Sequence, residues 1–91
     1  MIHIEFTGNF NRLYRNLIDE NLGLKDIIRD CIRLFKRNPD DSRLENHPLR
    51  KRMRGKHAIS ITDDIRIIYE WTGKSTVRFL AIGTHEDVYI N

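Results

Sequence analysis

The sequence predicts an α+β domain: a small antiparallel sheet with two N-terminal helices packed on one face, in the order β-α-α-β-β-β. Three observations predict it. A short apolar-polar alternation opens the chain, two apolar stripes of helical period follow, and the C-terminal third holds three β-rich runs separated by turn residues. The 91 residues allow one domain, 1–91, with a single core and no separate cofactor-binding half.

Each element has its own signal. His3 to Phe6 alternates as a strand does, and Thr7 or Asn9 can cap a helix carrying Phe10, Leu13, Tyr14, Leu17 and Ile18 on one stripe. Gly23 separates this helix from a second, antiparallel one over about Leu24 to Arg37. Asn38-Pro39 ends the second, because proline disfavours helix in the residue before it. Ala58 to Ile61 and Ile65 to Trp71 read as strands around Thr62-Asp63-Asp64, a hairpin-turn composition. Thr72-Gly73-Lys74-Ser75 makes the next turn and Thr76 to Ile82 the last strand, with a further short strand expected near residues 43 to 46.

Composition narrows the class. Apolar residues make up 40% and charged residues 32%, as in soluble globular proteins, and no run is long enough to span a membrane. The first residues lack the basic region and apolar stretch of a signal peptide, so cytoplasmic residence is expected. Cys31 is the only cysteine, which leaves no disulfide within the chain, and its helical neighbours give it a core position.

The net charge of +3 is unevenly spread. Between residues 43 and 57, Arg43, Arg50, Lys51, Arg52, Arg54 and Lys56 face only Glu45, a local net of +5, with His47 and His57 as further potential cations. Such a segment on an otherwise balanced domain suits a polyanion such as nucleic acid, although a solvated basic loop has the same composition.

The best candidate for chemistry lies beyond the last strand. Gly83 breaks it, and His85 and Tyr89 follow at i and i+4 just past a strand end, where rigid scaffolds tend to carry reactive groups. Asp64-Ile65-Arg66 and Gly83-Thr84-His85 border neighbouring strands and can share a sheet face. In a short helical turn capped by Thr84, His85 would sit in the first turn, where imidazolium is disfavoured. The bland readings are a turn role for Asp63 and Asp64 and an outward Arg66 paired with Glu70.

His47-Pro48-Leu49-Arg50, then Gly55, then Ile61 to Tyr69, and finally Ile82-Gly83-Thr84-His85-Glu86-Asp87-Val88-Tyr89 resemble the RelE superfamily of bacterial toxins, most nearly its YafQ-like branch. The resemblance covers nearly the whole chain. It implies the toxin of a type II toxin-antitoxin pair: an endoribonuclease that enters the A site of the 70S ribosome, contacts 16S rRNA, cuts the translated mRNA, and is neutralised by a cognate antitoxin in a hetero-oligomer. It implies neither metal nor cofactor. In that chemistry the ribose 2′-hydroxyl attacks the adjacent phosphate, so one proton is removed, another delivered, and charge on phosphorus stabilised.

Carried over by position, the resemblance gives His85 and Asp64 acid-base roles, His47 a third functional imidazole, Tyr89 an aromatic place at the site, and Arg66 a place against the scissile phosphate. His85 is most simply the general acid on the leaving 5′-oxygen, with Asp64 or His47 assisting the 2′-hydroxyl; the reverse assignment stays open. Arg50, Lys51, Arg52, Arg54, Lys56 and His57 are the candidate RNA contacts. One position departs from the family pattern: Ser60 stands where the branch has a histidine, and His57, three residues away in a strand, would point to the opposite face. Two other functions remain on the table. One is a ParE-like inhibitor of DNA gyrase on the same fold, and the other a catalytically degenerate binding module.

Overall fold

A computed structural model describes the backbone of residues 1–89 and side chains through Val88. The elements are β1 (His3–Phe6), α1 (Gly8–Glu20), α2 (Leu24–Arg37), β2 (His47–Pro48), β3 (Lys56–Ser60), β4 (Ile65–Trp71), β5 (Thr76–Thr84) and α3 (His85–Tyr89). The five strands form one sheet in the order β1-β5-β4-β3-β2. Among the described residues no helix is long and apolar enough to cross a membrane.

The helix pair fits its sequence signals. Thr7 caps α1 by accepting a 3.0 Å bond from the Phe10 amide, satisfying a donor that no helical carbonyl can reach. The stripe of each helix enters the core: Phe10 and Ile18 from α1, Ile28 and Phe35 from α2. They meet Ile59, Ile67, Tyr69, Val77 and Phe79 from one face of the sheet. Phe35 lies edge-on to Tyr69 at 4.9 Å and to Phe79 at 5.6 Å, so aromatic packing joins α2 to the two central strands. Cys31 belongs to this helix-side packing, and burial pushes its thiol up, with Asp30 adding to the shift.

Three details differ from expectation. The sheet is mixed, because β1 runs parallel to β5 in the register His3↔Thr76 to Phe6↔Phe79. The helix pair carries the chain back across the face, so the first strand can lie alongside the last without a hairpin. The short extra strand falls at His47–Pro48 and not at 43–46; residues Ser42–Leu44 form a 3-10 turn that buries Leu44. Finally, β5 continues two residues beyond Ile82 and contains a bulge. Tyr69 pairs with Phe79 and Ile68 with Ala81, leaving Leu80 unmatched.

The bulge matters for the other face. Leu80 and Ala81 both join a second, smaller apolar cluster with Ala58, Ile68 and Val88, covered by Leu49 and Met53. This face lies opposite the α1-α2 pair, and it is the one that α3 and the basic segment approach.

Candidate active site

The β3-β4 turn and the end of β5 are tied together. Thr62 Oγ1 accepts bonds from the Asp64 and Ile65 amides at 3.3 and 3.1 Å, closing the turn on its own side chain. The Arg66 Nη1 donates to the carbonyls of Thr62 at 2.8 Å, Asp63 at 3.0 Å and Ile65 at 3.3 Å, so one guanidinium nitrogen gathers the whole turn. The His85 amide then donates to the Asp64 carbonyl at 3.0 Å, one residue beyond the Ile65↔Thr84 pair. Asp64, Arg66 and His85 are thereby brought to one corner. Glu70 pairs with Arg78 at 3.5 Å, not with Arg66.

The next row of that face reads Ser60↔Arg66↔Gly83. Ser60 is buried beside Arg66, in the position a histidine would need to reach the same corner. Gly83 lets α3 lie close: a Cβ there would stand 3.4 Å from Asp87 Cβ and 3.6 Å from Val88 Cγ1. Thr84 Oγ1 accepts from the Asp87 amide at 3.2 Å, so the expected cap on a short helical turn is present and His85 opens that turn. Tyr89 closes α3, and its side chain lies outside the described residues.

His47 is on the same face but at its far border. It pairs with Ala58, which pairs with Ile68 and in turn Ala81, placing it three inter-strand spacings, about 14 Å, from β5. Its Nδ1 lies 2.8 Å from the Glu45 carbonyl. A carbonyl only accepts, so Nδ1 carries the hydrogen, and in the neutral ring Nε2 is the basic nitrogen.

The basic segment divides. Arg50, Lys51, Arg52 and Arg54 are exposed around the 3-10 turn Lys51–Met53, which is anchored by Leu49 and Met53 folding onto the second cluster. Lys56 is half-buried, and none of these five takes part in an ion pair among the described residues. Arg43, by contrast, is bonded to Asp41 at 2.9 Å and holds that partly buried carboxyl down to about 2. His57 is turned away. It pairs with Tyr69, stacks on that ring at 5.3 Å on the helix side, and so stands apart from the other candidate RNA contacts. This is the opposite-face geometry that period two requires relative to Ser60.

Among the described residues no three His, Cys, Asp or Glu side chains are grouped to hold a metal ion. A groove of about 430 Å³ adjoins the corner at Gly83 and Asp87, and one of its walls is the outer stripe of α1, with Arg12 and Asn16. Sequence reasoning passed over these two. Polar residues spaced i, i+4 on an amphipathic helix look like a solvated face, and only the placement of α1 beside β5 gives them a neighbour.

The family model for the bacterial toxin of type II toxin-antitoxin systems, YafQ, matches residues 2–90. The chain belongs to the YafQ family. The crystal structure of YafQ from E. coli strain BL21(DE3) is similar at a TM-score of 0.81 and 22% identity, covering 98% of this chain and 99% of that one. YafQ in the E. coli DinJ-YafQ toxin-antitoxin complex gives 0.79 and 21% identity over 97% of each chain. A copper-bound mutant toxin from Helicobacter pylori gives 0.81 and 16% identity over 98% of this chain and 100% of that one. No curated protein matches the sequence. In this member of the YafQ family, then, the shared fold carries a corner of Asp64, Arg66 and His85, with serine at position 60.

Proposed function

We propose that this YafQ-family toxin is an endoribonuclease that cleaves mRNA in the ribosomal A site and is held inactive by a protein antitoxin. The observation that carries the reading is the 3.0 Å bond from the His85 main-chain amide to the Asp64 main-chain carbonyl, which brings these two residues to one sheet corner near Arg66 and supports an imidazole and a carboxylate working together there. Asp64 takes the proton of the 2′-hydroxyl as it attacks phosphorus. His85 delivers a proton to the departing 5′-oxygen, leaving a 2′,3′-cyclic phosphate and a free 5′-hydroxyl. Both protons are handled by side chains. Arg66 has its Nη1 committed to the turn, so its remaining donors meet the phosphorane oxygens from a fixed direction.

His47, at the far border of the face, contacts the RNA away from the cut and not the reacting bond. Arg50, Lys51, Arg52, Arg54 and Lys56 hold phosphates of the message and of 16S rRNA. The DinJ-YafQ complex supports an antitoxin as the natural partner.

The test is primer extension on cellular messages after brief induction, comparing the natural chain with His85→Gln. Loss of a proton-transfer group costs on the order of 10²–10⁴ in rate. New message ends should therefore vanish, while the variant stays folded and still binds its antitoxin. Undiminished cleavage by His85→Gln would sink the assignment, and toxicity with intact messages but blocked gyrase supercoiling would favour the ParE-like alternative.

A further inference from the structure

The groove beside the candidate active site is built by an interruption in the sheet. β1 stops pairing at Phe6↔Phe79, so the rest of β5 has no strand on that edge. The start of α1 takes over. Thr7 Oγ1 donates to the Phe79 carbonyl and Asn9 Nδ2 to the Leu80 carbonyl, both at 2.9 Å, so the first turn of α1 is fastened to the bulge. The Asn9 side-chain oxygen Oδ1, in turn, accepts a 2.7 Å bond from Arg12 Nη2. Arg12 is thus held by an amide and has no carboxylate partner among the described residues. An arginine fixed in this way is ready to meet an anion without losing much freedom.

The groove has three walls and an apolar floor. Ile68, Leu80 and Ala81 make the floor, and the bulge is what turns both Leu80 and Ala81 into it. Gly83 and Asp87 form one end, at the catalytic corner; Met53 and Lys56 form a second wall, from the basic segment; Arg12 and Asn16 form the third. Its volume of about 430 Å³ lies within the range of small-ligand sites. An RNA strand that touches both the catalytic corner and the basic segment crosses this space. The apolar floor suits a nucleobase and the Arg12 and Lys56 parts of the rim suit its phosphate, with the carboxylates of Glu20 and Asp87 elsewhere on the rim.

Resting on the reading of the chain as an mRNA-cleaving toxin, we infer that this groove is the subsite for the nucleotide next to the cleaved bond, with Arg12 on its phosphate and Asn16 on the edge of its base. Arg12 and Asn16 are binding residues, not catalytic ones. Asn9 is a positioning residue for Arg12. The specificity of the cut for its flanking base then resides in α1, a helix whose other side is committed to the core.

The experiment uses ribosomes programmed with a message randomised around the A-site codon, under single-turnover conditions, with Arg12→Ala and Asn16→Ala beside the natural chain. Both residues are exposed and helical, so alanine keeps the fold, which thermal melting verifies. Arg12→Ala should raise the half-saturating toxin concentration about tenfold and reduce its salt dependence by roughly one phosphate, with the maximal rate within about threefold. Asn16→Ala should redistribute the cuts toward other bases at one flanking position. If the natural chain cuts and both variants match it in affinity and cut pattern, the inference fails and the enzymatic reading stands. If the natural chain cuts no message, both fail. Variants that lose only antitoxin affinity would assign the groove to the antitoxin and overturn the inference.

Discussion

Replacing Arg66 by alanine tests the fold and the chemistry at once. Its Nη1 has two hydrogens for three carbonyls of the β3-β4 turn, the closest at 2.8 and 3.0 Å, and the side chain is only half-buried. A net hydrogen bond from a charged group contributes about 1.5–3 kcal/mol, and halving one such bond's upper value for solvent exposure leaves ~1.5 kcal/mol. For a domain of this size that corresponds to a melting temperature lower by roughly 6–12 °C. Under the proposed mechanism cleavage should fall much further, on the order of 10²–10³, because there the guanidinium also meets charge that develops only in the transition state. Arg66→Lys separates the effects. A single ammonium restores the charge but cannot span the turn carbonyls while facing the phosphate, so it should recover part of the stability and little of the rate. Urea and thermal unfolding measure the first quantity and single-turnover cleavage the second. An unchanged midpoint for Arg66→Ala would refute the clamp; a stability loss with cleavage kept within about threefold would remove Arg66 from the reaction.

Other perturbations have defined outcomes. Gly83→Val adds branched carbons where a Cβ alone would already stand 3.4 Å from Asp87 Cβ and 3.6 Å from Val88 Cγ1, so it should displace α3, cost about 1–3 kcal/mol in urea unfolding and abolish cleavage by chain that is still folded. Gly55 has φ of +90°, and Gly55→Ala should cost about 1–2 kcal/mol in urea unfolding. Burial raises the Tyr69 phenol above its ordinary value of 10.0, against the smaller opposing effect of its bond from Asn46. The unfolded chain then ionises first, so this contribution to stability is complete below pH 10 and is lost as pH rises through the higher folded value; tyrosinate absorbance and circular dichroism should change together, and Tyr69→Phe should remove that component.

Helices and strands were legible because their signals are local. A cap at Thr7 or Asn9, Leu24 to Arg37 as helix and Ile65 to Trp71 as strand follow from capping chemistry, proline and β-branched runs; the structure chooses Thr7 for the cap, and the helix and strand stand. The parallel pairing of β1 was not legible, since nothing in His3 to Phe6 specifies a partner 73 residues away. The corner of Asp64, Arg66 and His85 could be anticipated because each borders a turn on adjacent strands. The division of the basic segment could be anticipated in part, since period two already set His57 opposite Ser60. What the sequence did not show is the ring that His57 meets there, Tyr69. Arg12 and Asn16 were invisible because a one-dimensional stripe does not say which strand edge a helix will border.

The pairing of the first strand with the last has a kinetic consequence. While the chain is being made, β1 has no edge to join until residues 76 to 79 have been synthesised and are free to pair. The carbonyls that fasten α1 to the bulge, at Phe79 and Leu80, arrive at the same moment, and His85 only afterwards. Contacts this distant in sequence slow folding and make closure a late, cooperative event. A growing chain therefore brings Asp64, Arg66 and His85 to one corner only after residues 76 to 85 have been made and have paired.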